Sequence, residues 1–267
     1  MIAMVVLTYN RVHLLQKCVE NVLLRTSDLT TTIVIWNNAS SDGTAEYLGA
    51  LDHPRITVVN HDENIGQSAY ARAFRDTTEP FLLELDDDMI DAPQDWDRSM
   101  LEAYQALPKV GFLQARLADD GFSPGSDLFY RINKHLYELK GVPGTQYKIW
   151  QGGPVGGGCT ITDRELHDRV GGFSENKKLV FFYEDAVYVD AIRKLGYETA
   201  VLDDVEVFHA GGSHYAEIPP ERYEFYADRD RRQRRKDRVK RVLLAVPFVA
   251  PLNERRGWFQ PPEARES

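Results

Sequence analysis

The segment PFLLELDDD, residues 80–88, combines an apolar run with three consecutive acids. Its first part, Pro80 to Leu85, is a short apolar run of the kind that forms a buried β-strand, and it ends abruptly on Asp86, Asp87 and Asp88. In open α/β sheets the ligand site lies beyond the carboxyl ends of the strands. The segment therefore predicts both a strand of such a sheet and a polar site at its end.

The same succession of apolar strand, polar loop and helical pattern occurs three times before this segment. Such alternation is typical of βαβ units on a mostly parallel, Rossmann-like central sheet flanked by helices. The polar loops Thr8–Asn10, Asn37–Ser40 and Asn60–Asn64 would then meet the acidic triplet at one edge of the sheet. The predicted strands are Met1–Leu7, Thr31–Trp36 and Arg55–Val59, and the predicted helices are Arg11–Arg25, Ser41–Leu51 and Ser68–Asp76.

The second half of the chain is patterned less regularly. Gly and Pro are scattered through Asp119–Gly158, which indicates loops and short strands lining the other side of a cleft. Regular patterns flank this region. They predict strands at Val110–Arg116, Gly156–Thr162 and Glu198–Phe208, and helices at Asp163–Val170 and Asp185–Leu195.

The composition excludes several classes of protein. The 267 residues are 43% hydrophobic and 27% charged, with a net charge of −9, which is typical of a globular rather than a disordered chain. The two cysteines, Cys18 and Cys159, lie far apart and outside any Cys-x-x-Cys pair, so neither a zinc site nor a disulfide scaffold is expected. Because the apolar start shows neither a basic leader nor a cleavage site, we predict a cytoplasmic protein.

A basic segment near the end of the sequence contrasts with the acidic remainder. Residues 229–241 hold seven Arg and two Lys against two Asp, and an apolar stretch, Leu243–Leu252, follows them. This stretch is too short to span a bilayer, which takes about 20 residues. The combination favours attachment of residues 229–252 to an anionic membrane surface, on the inner face of the cell membrane, over a solvated charged helix. No nucleic-acid partner is expected.

The acidic triplet is the strongest candidate for a metal site. Three carboxylates directly after a buried strand repel one another unless a cation neutralises them. Mg²⁺ and Mn²⁺ prefer oxygen ligands and commonly join a carboxylate to substrate phosphates. The alternative for Asp86, Asp87 and Asp88 is a solvated acidic turn or a helix cap, but their position at the end of a strand favours a metal.

Two further features are candidates for the same site. Glu184 and Asp185 open a predicted helix, where acids often only complement the helix dipole, but a carboxylate near a divalent ion could instead act as a general base. His209 follows a predicted strand and precedes a loop that contains Gly211 and Gly212, so it is either a structural residue or a further metal ligand. No Ser/His/Asp or Cys/His arrangement points to an enzyme nucleophile.

Taken together, these motifs resemble those of the family 2 glycosyltransferases, and more loosely those of its rhamnosyltransferase-like members. The resemblance covers roughly residues 2–240 and implies the GT-A fold, a single domain built on a nucleotide-binding α/β sheet. It implies a GT-A domain over 1–218, with a nucleotide-binding half over 1–118 and an acceptor-binding half over 119–218, followed by a basic amphipathic helix and tail over 219–267. The matching motifs are Val5–Arg11, Asn38–Thr44, Asn64–Gly66, the acidic triplet, Gly171–Phe173 with Glu184-Asp185, and His209.

The resemblance also implies roles for these residues. Asp88 and His209 would bind the metal ion, Mn²⁺ or Mg²⁺, and Asp185, with Glu184 beside it, would be the catalytic base. Asn37 stands where the family often has Asp, which leaves the identity of the nucleotide base open. The donor, a UDP- or dTDP-linked sugar, would be bordered by Thr8, Tyr9, Arg11, Asn37, Asp42, Asn64, Gly66, Asp86 and Asp87.

The activity so implied is metal-dependent, inverting transfer of a sugar from a nucleoside-diphosphate donor to a hydroxyl of a glycan, lipid-linked or polymer acceptor. The segment Gln233–Asp237 lacks the Trp of the processive polysaccharide synthases, so a non-processive enzyme is expected. A sugar-phosphate nucleotidyltransferase is one alternative, but Leu7–Leu15 contains no glycine of the kind that holds a triphosphate. A non-catalytic scaffold that binds nucleotide sugars is the other.

Overall fold

The structure, a computed structural model, describes residues 1–118, 137–152, 157–175 and 184–210, without the side chains of 184–186. All of these residues belong to one compact unit, Met1–His214. The helices are α1 (Val12–Arg25), α2 (Thr44–Gly49), α3 (Ser68–Arg75), α4 (Trp96–Gln105), α5 (Arg164–Arg169) and α6 (Glu184–Lys194). The strands are β1 (Ile2–Thr8), β2 (Thr30–Asn38), β3 (Ile56–His61), β4 (Phe81–Asp86), β5 (Met89–Asp91), β6 (Val110–Ala118), β7 (Glu138–Gly141), β8 (Lys148–Gln151), β9 (Cys159–Asp163) and β10 (Glu198–His209).

The first four long strands form the parallel half of the sheet, in the order β3-β2-β1-β4. In the centre of this half, Val5 of β1 pairs with Val34 of β2 on one side and with Glu84 of β4 on the other. The bounds of all four strands lie within two residues of the predicted ones. The prediction of βαβ units flanked by helices is thereby confirmed for this part of the chain.

Beyond β4 the sheet becomes mixed rather than mostly parallel. The order continues β9-β6-β10-β8-β7, and β5 pairs separately with β10. Strand β9 is antiparallel to both of its neighbours, with Ile161 opposite Leu83 of β4 and Leu113 of β6. The pair β6–β10 is parallel, whereas β8 is antiparallel to β10 and to β7. An apolar run has the same pattern in either direction, so the sequence could predict these strands but not their orientation.

The sheet is buried on both faces, which explains the uninterrupted apolar sequence of β1. Successive side chains of a strand point to opposite faces. Met4 and Val6 accordingly pack into one core cluster with residues of α1 and α4, while Ala3 and Val5 pack into a second cluster with residues of α3 and α6. Each fully buried aliphatic side chain contributes about 1.5–3 kcal/mol, so the two clusters hold the strand ends in fixed positions.

Helix α4 was not among the predicted elements. Its buried residues Trp96, Met100, Ala103 and Tyr104 follow the i, i+4, i+7, i+8 spacing of an amphipathic helix, so the sequence did carry the signal. The helix covers the same face of the sheet as α1.

The predicted C-terminal segment, 219–267, lies outside the described residues, as does most of the irregular region 119–158. Neither the predicted helix in 219–267 nor the attachment of 229–252 to a membrane is tested, so both stay predictions. In the ranges that the structure does describe, no helix is long and apolar enough to cross a membrane.

Asp97 joins α4 to the start of β2. Its carboxylate is fully buried and accepts hydrogen bonds from the Ser27 amide at 2.8 Å, the Ser27 hydroxyl at 2.9 Å and the Thr30 hydroxyl at 2.6 Å. A buried carboxylate is tolerated only when it is hydrogen-bonded in this way.

We predict that Asp97→Ala lowers the free energy of unfolding by about 3 kcal/mol, because it leaves buried donors unsatisfied. Urea unfolding followed by circular dichroism measures this loss. Asp28→Ala is the matched control: Asp28 is 86% exposed and pairs with Arg98 at 2.6 Å, so its loss should cost under about 1 kcal/mol. Equal losses in the two variants would contradict the assignment.

Candidate active site

The register of the parallel strands brings the predicted site residues together. Thr8 at the end of β1 pairs with Asn37 of β2, and Leu7 pairs with Asp86 at the end of β4. The carboxyl ends of these three strands therefore lie side by side at one edge of the sheet. The end of β10 reaches the same edge, since its His209 lies next to Asp88.

Two acids of the triplet, Asp87 and Asp88, are buried and are joined to the first loop by Arg11. Asp87 and Asp88 are 0% and 1% exposed, and the side chain of Arg11 is only 13% exposed. The guanidinium places Nη2 at 2.5 Å from Asp87 Oδ1 and Nη1 at 2.6 Å from Asp88 Oδ2. Arg11 directly precedes α1, so the helix fixes where its side chain starts. A single cation thus bridges two carboxylates that would otherwise repel each other.

His209 also contacts Asp88. Its Nε2 lies 3.4 Å from Asp88 Oδ2, and the amide of Ala210 donates to the Asp88 carbonyl at 2.8 Å. Burial by itself lowers the pKa of His209, but the carboxylates of Asp88 and Asp86 outweigh burial and raise this pKa above its usual value.

The other two carboxyls of the triplet also have altered pKa values. Burial raises the pKa of Asp87 to about 7, even though Arg11 lowers it. Burial and the neighbouring Asp88 likewise raise the pKa of Asp86, whose Oδ1 accepts a hydrogen bond from the Tyr70 hydroxyl at 3.1 Å. An additional cation beside these carboxylates would stabilise their ionised form.

The donor atoms around Asp88 suit a divalent ion. Carboxylate oxygen and imidazole nitrogen are both ligands of Mn²⁺, and a separation of 3.4 Å lets Asp88 Oδ2 and His209 Nε2 face one ion. Within the described ranges, no group of three or more His, Cys, Asp or Glu side chains is arranged to hold a metal on its own. A pair of protein ligands fits an ion whose remaining positions are filled by substrate phosphate oxygens and water, as is usual for Mg²⁺.

Asp42 holds two loops in place. Its Oδ2 accepts from the amide of Val12 at 2.9 Å, at the start of α1, while Oδ1 accepts from the Thr44 hydroxyl at 2.6 Å and the Thr44 amide at 3.3 Å. The N-cap residue of α2 is Gly43, with φ +89°. Asp42 is exposed at this edge, where the family resemblance implied a nucleotide contact.

Asn37 and Asn38, at the end of β2, are 2% exposed and tie the polar loops to one another. Asn37 accepts from the Ser40 amide at 3.0 Å and donates to Asn60 at 2.9 Å. Asn38 donates to the Asn64 side chain at 2.8 Å and accepts from the Ile65 amide at 2.9 Å. Asn37 therefore ties its own loop to β3, while Asn38 shapes the loop that follows β3, a role that the sequence analysis did not assign.

The third loop turns at Asn64 and Gly66. Asn64 Oδ1 accepts from the Gly66 amide at 2.9 Å, and Gly66 adopts φ +60°, which favours glycine. In the first loop, Asn10 also has a positive φ, 51°, and its side chain accepts from the Ser41 amide at 2.7 Å. The first three loops are thus linked through side-chain hydrogen bonds to backbone amides.

The remaining predicted residues are placed less completely. Thr8 is buried beside Asp87, and Tyr9 is half-buried in the next position. Helix α6 begins at Glu184, as expected, but the side chains of Glu184 and Asp185 lie outside what the structure describes. Their catalytic role stays a prediction. Tyr70, which contacts Asp86 from α3, gave no signal in the sequence apart from its position on the apolar face of a helix.

Comparison with solved structures identifies the fold. A mannosyltransferase from Pyrobaculum calidifontis, solved with GDP-Man and Mn²⁺, matches 88% of this chain at 21% identity with a TM-score of 0.59. GalNAc-T7 with UDP, GalNAc and Mn²⁺ matches 79% at 14% identity with a TM-score of 0.58. Residues 1–349 of TarS from S. aureus, solved with UDP, match 79% at 14% identity with a TM-score of 0.59. All three resemble this chain in the GT-A fold.

The chain spans only part of these proteins, covering 61%, 44% and 60% of their respective lengths. No curated protein matches the sequence significantly. The model of glycosyl transferase family 2 does match, over residues 4–171, a range that includes most of β1, the acidic triplet and Gly171. The chain therefore belongs to glycosyl transferase family 2.

Proposed function

We propose that this protein is a metal-dependent, inverting, non-processive glycosyltransferase that moves a sugar from a nucleoside diphosphate to an acceptor hydroxyl. The observation that carries the proposal is the buried cluster of Asp87, Asp88, Arg11 and His209 at the edge of the sheet where the three polar loops meet. A purely structural salt bridge would require neither the histidine nor the converging loops. The acceptor is a glycan or lipid-linked molecule, bound by the half of the domain over 119–218.

The loops suit a nucleotide because they are polar, preorganised and open to solvent at the tips. Ser41, Asp42 and Gly43 are exposed, while the asparagines beneath them are fixed by hydrogen bonds. The similar structures contain GDP-Man, UDP or UDP-GlcNAc, which supports a nucleotide-sugar donor without choosing the base. We favour a UDP- or dTDP-linked sugar, bordered by Thr8, Tyr9, the exposed face of Asp42 and the Asn64–Gly66 turn.

Asp88 and His209 would hold the metal ion, Mn²⁺ or Mg²⁺, together with the diphosphate. When bound, the ion supplies Lewis-acid stabilisation of the negative charge on the leaving diphosphate. Two of the similar structures contain Mn²⁺, which supports a divalent ion at this position. Arg11 adds a second positive group beside the same carboxylates.

The chemical step needs one base and no enzyme nucleophile. The acceptor oxygen attacks the anomeric carbon, the bond from that carbon to the diphosphate oxygen breaks, and the electron pair leaves with the diphosphate. Asp185 takes the acceptor's proton, which is the task of a general base within hydrogen-bond reach. A single displacement inverts the configuration at the anomeric carbon. Asp185 lies in the first turn of α6, the end of a helix that favours negative charge.

We predict that the purified protein releases nucleoside diphosphate from one donor of a panel of UDP-, dTDP- and GDP-sugars when Mn²⁺ or Mg²⁺ and an acceptor mixture are supplied. Chelation and Asp88→Ala should each reduce the rate at least about 100-fold, since both remove electrostatic stabilisation of the leaving group. Asp91→Ala, which changes an exposed carboxylate three residues further on, should retain the rate. A rate that survives both chelation and Asp88→Ala would refute the proposed metal role.

We predict that Asp185→Asn lowers the rate of sugar transfer about 100-fold or more, while donor affinity stays within about twofold of the natural chain. The reason is that only removal of the acceptor's proton is lost. Transfer is followed by product formation, and donor binding by calorimetry. Asp190→Asn is the matched control, since Asp190 is exposed on the same helix. Normal transfer by the Asp185 variant, or equal losses in both variants, would rule out Asp185 as the base.

A further inference from the structure

Arg11 contacts the oxygen of Asp88 that would also face a metal ion. Its Nη1 lies 2.6 Å from Asp88 Oδ2, and His209 Nε2 approaches the same oxygen to 3.4 Å. The guanidinium therefore lies against the carboxylate oxygen that would face an ion held between Asp88 and His209. Contact of both an ion and the guanidinium with that oxygen is unfavourable, because the two cations repel at close range.

The cluster has a clear reason to keep a cation at all times. Asp87 and Asp88 are at most 1% exposed, and burying ionised carboxylates without a partner is strongly unfavourable. Arg11 stays charged at any pH the protein meets, so it can serve as that partner. The side chain is itself 13% exposed, which places it at the border between the buried acids and solvent.

Asp87 and Asp88 each contact a different nitrogen of Arg11. Nη2 contacts Asp87 Oδ1 at 2.5 Å, and Nη1 contacts Asp88 Oδ2 at 2.6 Å. Withdrawal from Asp88 therefore does not require withdrawal from Asp87. The family resemblance placed Asp87 at the border of the donor, and its contact with Arg11 gives it a second task.

We propose that Arg11 is a built-in counter-cation of the metal site, which a divalent ion must displace from Asp88 while Asp87 retains it. This inference rests on the proposed function, since it takes the pair Asp88 and His209 as the metal site. Arg11 stabilises the site before metal and donor bind, and it lowers the affinity of the protein for a metal ion alone. Asp87 is then a positioning residue that keeps the displaced guanidinium at the site.

The test measures Mn²⁺ binding to metal-free protein without nucleotide, by the electron paramagnetic resonance signal of the free ion. Arg11→Gln should bind Mn²⁺ at least about tenfold more tightly than the natural chain. A cation beside a carboxylate shifts its pKa by about one unit or more, so removing the guanidinium should change the affinity of Asp88 for another cation by about a factor of ten or more. Arg75→Gln is the matched control, since it breaks an arginine–glutamate pair on the surface and should leave Mn²⁺ affinity unchanged.

Thermal unfolding provides a second readout. Without metal, Arg11→Gln should unfold at a lower temperature than the natural chain, because its buried carboxylates have lost their cation. Saturating Mn²⁺ should then raise the unfolding temperature of this variant more than that of the natural chain. Arg11→Lys keeps a charge near Asp88 but has no planar fork to bridge two carboxylates, so its Mn²⁺ affinity should fall between the two. If Arg11→Gln does not fold without metal, Arg11→Lys must still bind Mn²⁺ more tightly than the natural chain.

Two results would overturn the inference, and they are distinguishable. If the natural chain binds Mn²⁺ and Arg11→Gln binds it no more tightly, the displacement is wrong while the metal site stands. If neither protein binds Mn²⁺ up to millimolar concentration, and transfer survives chelation, the metal site of the proposed function fails together with the inference.

Discussion

The pairing of Arg11 with two buried carboxylates is the constraint on which the rest of the site depends. Asp87 and Asp88 follow directly from a central strand, so they enter the interior whether or not a partner is available. Their burial is tolerated because the guanidinium of Arg11 contacts both of them. Arg11 directly precedes the N-terminus of α1. The parallel register of β1 and β4, with Leu7 opposite Asp86, sets the distance between Arg11 and the two carboxylates.

The polar loops are held by a second set of interactions that does not involve charge pairs. Asn10, Asn37, Asn38 and Asn64 accept hydrogen bonds from loop amides, and Asp42 accepts from the first amide of α1. Short polar side chains are well suited to this because they satisfy backbone groups where neither helix nor sheet can. The consequence for function is preorganisation: the loop backbone is ordered before a nucleotide arrives, so less ordering entropy is lost on binding.

Much of this arrangement could be predicted from the sequence, and the reasons for the exceptions are physical. The strands β1 to β4 and the helices between them are local patterns, and their common edge follows from the parallel connection rule. The place of β9 between β4 and β6 could not be predicted, because its partner strands precede it by many residues and leave no local trace. The same applies to Arg11. Its partner Asp88 lies 77 residues away, and the family resemblance implied only a contact with the nucleotide.

The most direct test of this account is a crystal structure of the chain with Mn²⁺ and the nucleoside diphosphate that it binds, with anomalous scattering locating the ion. We expect the anomalous peak within coordination distance of Asp88 and His209, the diphosphate on the same ion, and Arg11 in contact with Asp87 but withdrawn from Asp88. A peak remote from Asp88, or a nucleotide bound away from the loops that follow β1, β2 and β3, would contradict the proposed site.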